Sequence, residues 1–306
     1  MIGDFSFPEN LQIEPPASLL RIDDNGNIRS EINLPQNLKV DQAPQLNAPT
    51  SNVVGFTINV DFTGTPAQEV LFTNAANAWM SRITGYRGVM SVSSITITAV
   101  IAPIDGPGGT LGSASPIGVS IQDEDGLPGG NEFVLTTTGD MTFDSDDAGA
   151  LTASVIEHEM GHVLGIGSLW SAANVGLAGP GRQELYTTGS GEFTGANATA
   201  AWQAEFGQLD AFVPVELSGG AGTANAHWNE NVNGAGSTGI TQAGTGNDMR
   251  NELMTGWLND PTFVSNMTLA SLNDIGYTTT AILVPEPTSA LFAGLGLLLL
   301  GGRRRR

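Results

Sequence analysis

The chain has 306 residues, 40% of them hydrophobic and only 14% charged, so it can bury the core of one large domain or two smaller ones and is no disordered acidic chain. Acidic residues outnumber basic ones 31 to 11, and four of the eleven form the terminal RRRR, which leaves little basic surface for nucleic acid; the net charge of −20 fits solubility or the holding of cations. The absence of cysteine excludes disulfides, thiolate catalysis, cysteine-ligated zinc and a pro-segment thiol acting on a metal.

Residues 1–50 are rich in Pro, Asn and Asp, lack periodicity, and read as an extended arm or pro-like segment. The opening MIGDFSFPENLQIEPP has no basic start followed by an apolar run and does not read as a secretory signal. RIDDNGNI and IQDEDG follow a calcium-loop pattern except at the first ligand position, which falls on Arg21 and Ile121; both read as turns. The alternating, β-branched stretch 52–62 predicts a strand. Residues 65–86 open with Thr-Pro and space their apolar residues helically, predicting a long amphipathic helix. A further strand is predicted over 93–104. The glycine-rich stretch 105–116 predicts a loop, without the Lys-Ser/Thr that a phosphate loop needs. One or two strands are predicted over 130–144, then a helix over 147–165. A long irregular insertion follows over 168–226, with one helical piece, NATAAWQAEFGQL. A short amphipathic helix, MTLASLNDIGY, comes last. This order is α+β, with 51–280 as the main domain and no internal repeat.

The predicted helix over 147–165 carries HEMGH, placing His158 and His162 four residues apart. At that spacing two imidazoles stack on one helix face, about 5–6 Å apart at their β-carbons, and can reach one metal ion. Glu159 projects beside them and can reach a metal-bound water without ligating. Val155, Ile156, Met160, Val163 and Leu164 are apolar, so the helix is expected to be buried. Gly165 can end it in a left-handed turn that sends the chain back toward the site. Ser168 stands where many zinc proteases place a third histidine. The remaining histidine of the chain is His227, in GTANAHWNE. An isolated histidine is ordinarily a packed or surface imidazole, and a downstream glutamate is the rival ligand: Glu184, Glu192 and Glu205 are in range, none on a helix with the usual acidic partner.

HEMGHVLGIGSLW, the long insertion, GTANAHW, NELMTG and TLASLNDIGY together resemble the leishmanolysin-like zinc metallopeptidases of the metzincin group. The resemblance spans about 50–278. It implies a metzincin-like zincin with a mixed sheet, an active-site helix and a long insertion before the third ligand. It implies one Zn2+ per chain on His158, His162 and His227, with Glu159 as catalytic base and Met254 as a Met-turn beneath the metal. The implied activity is hydrolysis of peptide bonds in protein or peptide substrates by a zinc-activated water. The cysteine framework of the eukaryotic members has no counterpart here. The alternative is a non-catalytic zinc-binding protein of the cell surface or matrix. DSDD at 144–147 raises calcium as a second cation without a ligand pattern behind it.

Residues 284–306 join Pro285, Glu286 and Pro287 to an apolar run and the arginine block. The run is short for a membrane span, and positive charge beside it marks a cytoplasmic flank. This tail resembles a PEP-CTERM sorting signal. That implies export, transient membrane contact, cleavage by an exosortase-type enzyme, and a final place at the cell surface or outside. Export in turn expects a true start upstream of Met1.

Overall fold

A computed structural model describes residues 18–22, 28–32, 39–41, 55–88, 92–125, 129–220, 223–230 and 237–282. The sorting-signal tail with Pro285, Glu286 and Pro287 lies outside them. Among the described residues no helix is long and apolar enough to cross a membrane.

The protein is mixed α/β, in keeping with the α+β order. Its central sheet is built on four strands: β4 (Thr57–Thr63), β6 (Ser94–Ala102), β7 (Gly109–Asp123) and β8 (Glu132–Asp144). Three short strands of the N-terminal segment join it: β1 (Ser18–Ile22), β2 (Ile28–Ile32) and β3 (Lys39–Asp41). The order is β2-β1-β7-β8-β6-β4, with β3 also on β7. Strands β4, β6 and β8 run parallel, and β7 is antiparallel to β8. β1 meets β7 antiparallel and β3 meets it parallel, so parts of the stretch 1–50 are strands of this sheet.

Helix α1 (Pro66–Arg82) begins in a capping box, in which Thr65 and Gln68 satisfy each other's backbone donors and Pro66 takes the first turn. It ends four residues earlier than its sequence predicts. Ile83, Thr84, Gly85 and Tyr86 form β5 (Ile83–Tyr86), which pairs with β11 (Tyr277–Thr279). β-Branched residues and a distant strand partner override the helical spacing there. The glycine-rich segment 105–116 also departs from expectation, becoming strand from Gly109 onward. Gly112 marks close packing, since a β-carbon there would lie 2.4 Å from the Phe143 ring; farther along the same strand, one at Gly118 would lie 2.3 Å from Thr138 Oγ1.

Helix α2 (Ala153–Leu164) carries the motif, with a separate short turn at Ala148–Ala150 before it. Thr152 caps its first turn by accepting from the Val155 N–H. Val155, Ile156, Met160, Val163 and Leu164 are buried against α1 and the sheet. Burial of each such side chain contributes about 1.5–3 kcal/mol. Gly139 of β8 admits Val163 so closely that a β-carbon there would stand 2.3 Å from it. Thr136 donates its hydroxyl to the Val163 carbonyl at 2.6 Å. The motif helix is thereby pressed onto β8 next to His162.

The insertion contains β9 (Glu192–Phe193), α3 (Ala196–Phe206) and β10 (Val213–Pro214), and α4 (Asn266–Asp274) follows the last ligand candidate. α3 and α4 pack together and cap each other. Asp274, at the end of α4, accepts from the Asn197 and Ala198 N–H groups at the start of α3, at 3.0 and 2.9 Å. Glu205, near the end of α3, accepts from the Asn266 and Met267 N–H groups at the start of α4, both at 2.9 Å. Each carboxylate meets the positive end of the other helix.

Candidate metal centre

The structure brings His158, His162 and His227 into one buried cluster. Their Nε2 atoms stand 3.0 Å (158 to 162), 3.1 Å (162 to 227) and 3.3 Å (158 to 227) apart. Each Nδ1 faces a backbone carbonyl: Leu253 for His158 at 2.5 Å, Ile166 for His162 at 2.8 Å, Thr223 for His227 at 3.0 Å. A carbonyl only accepts, so each Nδ1 carries the proton and each Nε2 of a neutral ring presents a lone pair. Three lone pairs meeting at these distances cannot hydrogen-bond one another. They repel unless a cation lies among them, and this donor set fits a metal ion.

Burial keeps the rings neutral. It holds His158 down at about 4 and His227 at about 3, against an ordinary 6.5, with the neighbouring imidazole adding to the effect at His227. His162 lies well below its ordinary value, through burial and then the other two rings. The accepting carbonyls oppose these shifts without cancelling them. Neutral imidazole is the ligating form.

Several turns bring the third histidine in. Gly165 ends α2 at φ 115°, and its N–H returns to the carbonyls of Gly161 and His162. Ser168 donates its hydroxyl to the His162 carbonyl at 2.6 Å, a cap on the helix end. Gly167, at φ 74°, allows the closest approach: a β-carbon there would sit 2.2 Å from the Ala226 carbonyl oxygen, one residue before His227. The chain around His227 is then fastened on both sides. Glu216 donates its N–H to the His227 carbonyl at 2.9 Å, and Trp228 donates its own to the Met254 carbonyl at 3.0 Å.

Glu159 is fully buried, with Oε1 3.8 Å from His158 Nε2. Met254 is buried under α2, where Gly161 makes room; a β-carbon at 161 would stand 2.7 Å from the Met254 sulfur. Among the described residues, no other His, Asp or Glu side chain joins the three imidazoles. Glu205 is engaged in capping α4. Glu184 binds the Ser171 hydroxyl and accepts from the Ala173 N–H at 2.8 Å, and Glu192 is exposed on β9. Two of the three carboxylates of the DSDD stretch are turned onto backbone amides: Asp144 accepts from Asp105 and Asp146, and Asp147 from Gly108.

Sequence reasoning passes over Glu252. Its buried carboxylate accepts from the Met254 N–H, from the Ser265 N–H and hydroxyl, and from the Thr268 hydroxyl. Burial raises its pKa, and these donors pull it back. Its place in NELMTG, directly before the turn, is the available signal. Comparison with protein-family models, with curated proteins and with solved structures finds no match to this chain.

Proposed function

We propose that the chain is a zinc-dependent endopeptidase of the leishmanolysin-like metzincin type, exported and processed through a PEP-CTERM tail. The carrying observation is that three neutral imidazoles converge on one point with a buried carboxylate beside them and no fourth His, Asp or Glu among the described residues. A structural zinc site normally carries a fourth protein ligand, whereas a catalytic one leaves a position open. Tetrahedral zinc at about 2.0–2.1 Å from its nitrogens sets them about 3.3–3.4 Å apart. The spacing in the protein is close to that.

His158, His162 and His227 would hold the ion. Bound zinc would supply Lewis acidity, lowering the pKa of a water and polarising the scissile carbonyl. Glu159 is the group placed to take the proton of the attacking water and hand it to the leaving amine. Met254 and Gly161 keep the floor of the site packed, and the three carbonyls hold the rings in the Nδ1–H tautomer.

The test is casein hydrolysis with and without chelator, together with zinc content, in wild type, Glu159→Gln and His227→Ala. One zinc per chain and chelator-sensitive hydrolysis are expected of wild type. Glu159→Gln should keep the zinc and lose at least about a hundredfold in rate, and His227→Ala should lose the zinc. Turnover retained in zinc-loaded Glu159→Gln sinks the assignment. The burial of all three imidazoles and of Glu159 favours a second reading, a non-catalytic zinc-binding surface or matrix protein. Zinc without hydrolysis in wild type would select it.

A further inference from the structure

Glu252 lies outside the motif, yet its bonds reach both halves of the centre. Its Oε2 accepts from the Met254 N–H at 2.6 Å. Its Oε1 accepts from the Ser265 N–H at 3.0 Å, the Ser265 hydroxyl at 2.9 Å and the Thr268 hydroxyl at 2.6 Å. One carboxylate therefore ties the Leu253–Met254 turn to the start of α4. The two carbonyls of that turn face the site. Leu253 accepts from His158 Nδ1 at 2.5 Å, and Met254 accepts from the Trp228 N–H at 3.0 Å, one residue past His227. Trp228 is held at its other end by Thr268, which takes the indole N–H at 2.8 Å and itself donates to Glu252.

We propose that Glu252 is a positioning residue for the metal centre, fixing the Leu253–Met254 turn so that its carbonyls set the ring of His158 and the placement of the His227 segment. This rests on the metal-binding part of the reading above and not on hydrolysis. The geometry explains why a carboxylate is needed. Two backbone N–H groups and two hydroxyls converge on Glu252, and the backbone groups only donate. A glutamine has the same shape but one acceptor oxygen, so its amide must turn two N–H donors toward either Met254 or Ser265. An unsatisfied buried donor follows, and the turn must shift to relieve it.

A loss of general stability would not by itself establish the role, and Glu205 supplies the control. It also accepts from the start of α4, at Asn266 and Met267, without bonding to the turn. The experiment compares wild type, Glu252→Gln and Glu205→Gln, each loaded with Co2+, by visible absorption and by metal competition with a chelator. The His158 Nδ1–H proton resonance is followed in the zinc-loaded form. Glu252→Gln should weaken metal binding at least tenfold, change the cobalt bands, and shift or lose the His158 signal. The His162 signal, anchored on Ile166, should remain. Glu205→Gln should keep wild-type bands and affinity while unfolding more readily. Ser265→Ala removes one donor and keeps the carboxylate; a smaller loss of the same kind is expected, and it serves if Glu252→Gln does not fold. Wild-type affinity and bands in Glu252→Gln or Ser265→Ala, or equal damage in Glu205→Gln, overturn the proposal alone. A wild-type protein that takes up neither metal overturns the metal reading and this proposal with it.

Discussion

Gly167→Ala should separate backbone strain from the close approach that delivers the third histidine. At φ 74° an alanine incurs the left-handed penalty of about 1–2 kcal/mol. Its β-carbon would also lie 2.2 Å from the Ala226 carbonyl oxygen. Carbon–oxygen contacts ordinarily begin near about 3.3 Å, so the two segments must part by about 1 Å. Overpacking of this kind costs about 1–3 kcal/mol more. Gly176 is the matched control: its φ is 72°, and a β-carbon there would meet no atom within 4 Å. Gly176→Ala should therefore cost only about 1–2 kcal/mol in urea unfolding, and Gly167→Ala about 2–5 kcal/mol. The sharper readout is zinc affinity by chelator competition. Metal–ligand bonds tolerate only about 0.2 Å of error, and His227 follows Ala226 directly. Zinc binding should fall at least tenfold, about 1.4 kcal/mol, in Gly167→Ala and stay unchanged in Gly176→Ala. Equal stability losses in the two variants, or wild-type zinc affinity in folded Gly167→Ala, would refute the reasoning.

Metal-free protein should lose stability as the pH falls from about 6.5 to about 4. The folded values of His158, about 4, and His227, about 3, lie below the unfolded value, so the unfolded chain binds more protons as the pH falls. Their contribution is complete above about 6.5 and declines below it, by at most about 1.4 kcal/mol per pH unit for each ring. The raised carboxyls of Glu252 and Asp274 act in the opposite sense. A flat urea midpoint across that interval would contradict the neutral buried cluster. The helix caps offer another test: Glu205→Ala and Asp274→Ala should each cost about 1–2 kcal/mol. Because the two helices support each other, the double variant should depart from additivity by at least about 0.5 kcal/mol in a denaturant cycle. Strict additivity would show that the caps act independently.

The local grammar of the motif helix is readable in the residues. HEMGH, the apolar positions around it and Gly165 predict a buried helix ending in a left-handed turn, and the structure has one. From spacing alone His227 is a remaining histidine, and its role as a ligand is implied only by the resemblance that GTANAHW carries. Its arrival depends on contacts between distant segments, such as Gly167 against Ala226, which no local spacing encodes. Periodicity extends α1 through Ile83–Tyr86 because the strand that claims those residues lies at Tyr277–Thr279. The glycines of 105–116 resemble a loop because composition cannot distinguish a flexible glycine from one demanded by the Phe143 ring. Glu205 stands out in the sequence as a rival third ligand downstream of the motif, and its use as a helix cap depends on where α4 packs.

The fastening of the centre also orders events in time. A growing chain has made all three histidines once residue 227 has emerged, together with the Ile166 and Thr223 carbonyls that orient two of them, but the groups that hold His158 and its turn are not yet present. The carbonyl that orients His158 belongs to Leu253, the hydroxyls that clamp its turn belong to Ser265 and Thr268, and the end of the motif helix is tied by the Tyr277 hydroxyl to the Leu164 carbonyl at 3.0 Å. A chain broken off after residue 230 therefore carries all three histidines and none of this later frame. An ion held at these histidines would then certify completed synthesis, on the authority of the last helix and strand of the fold.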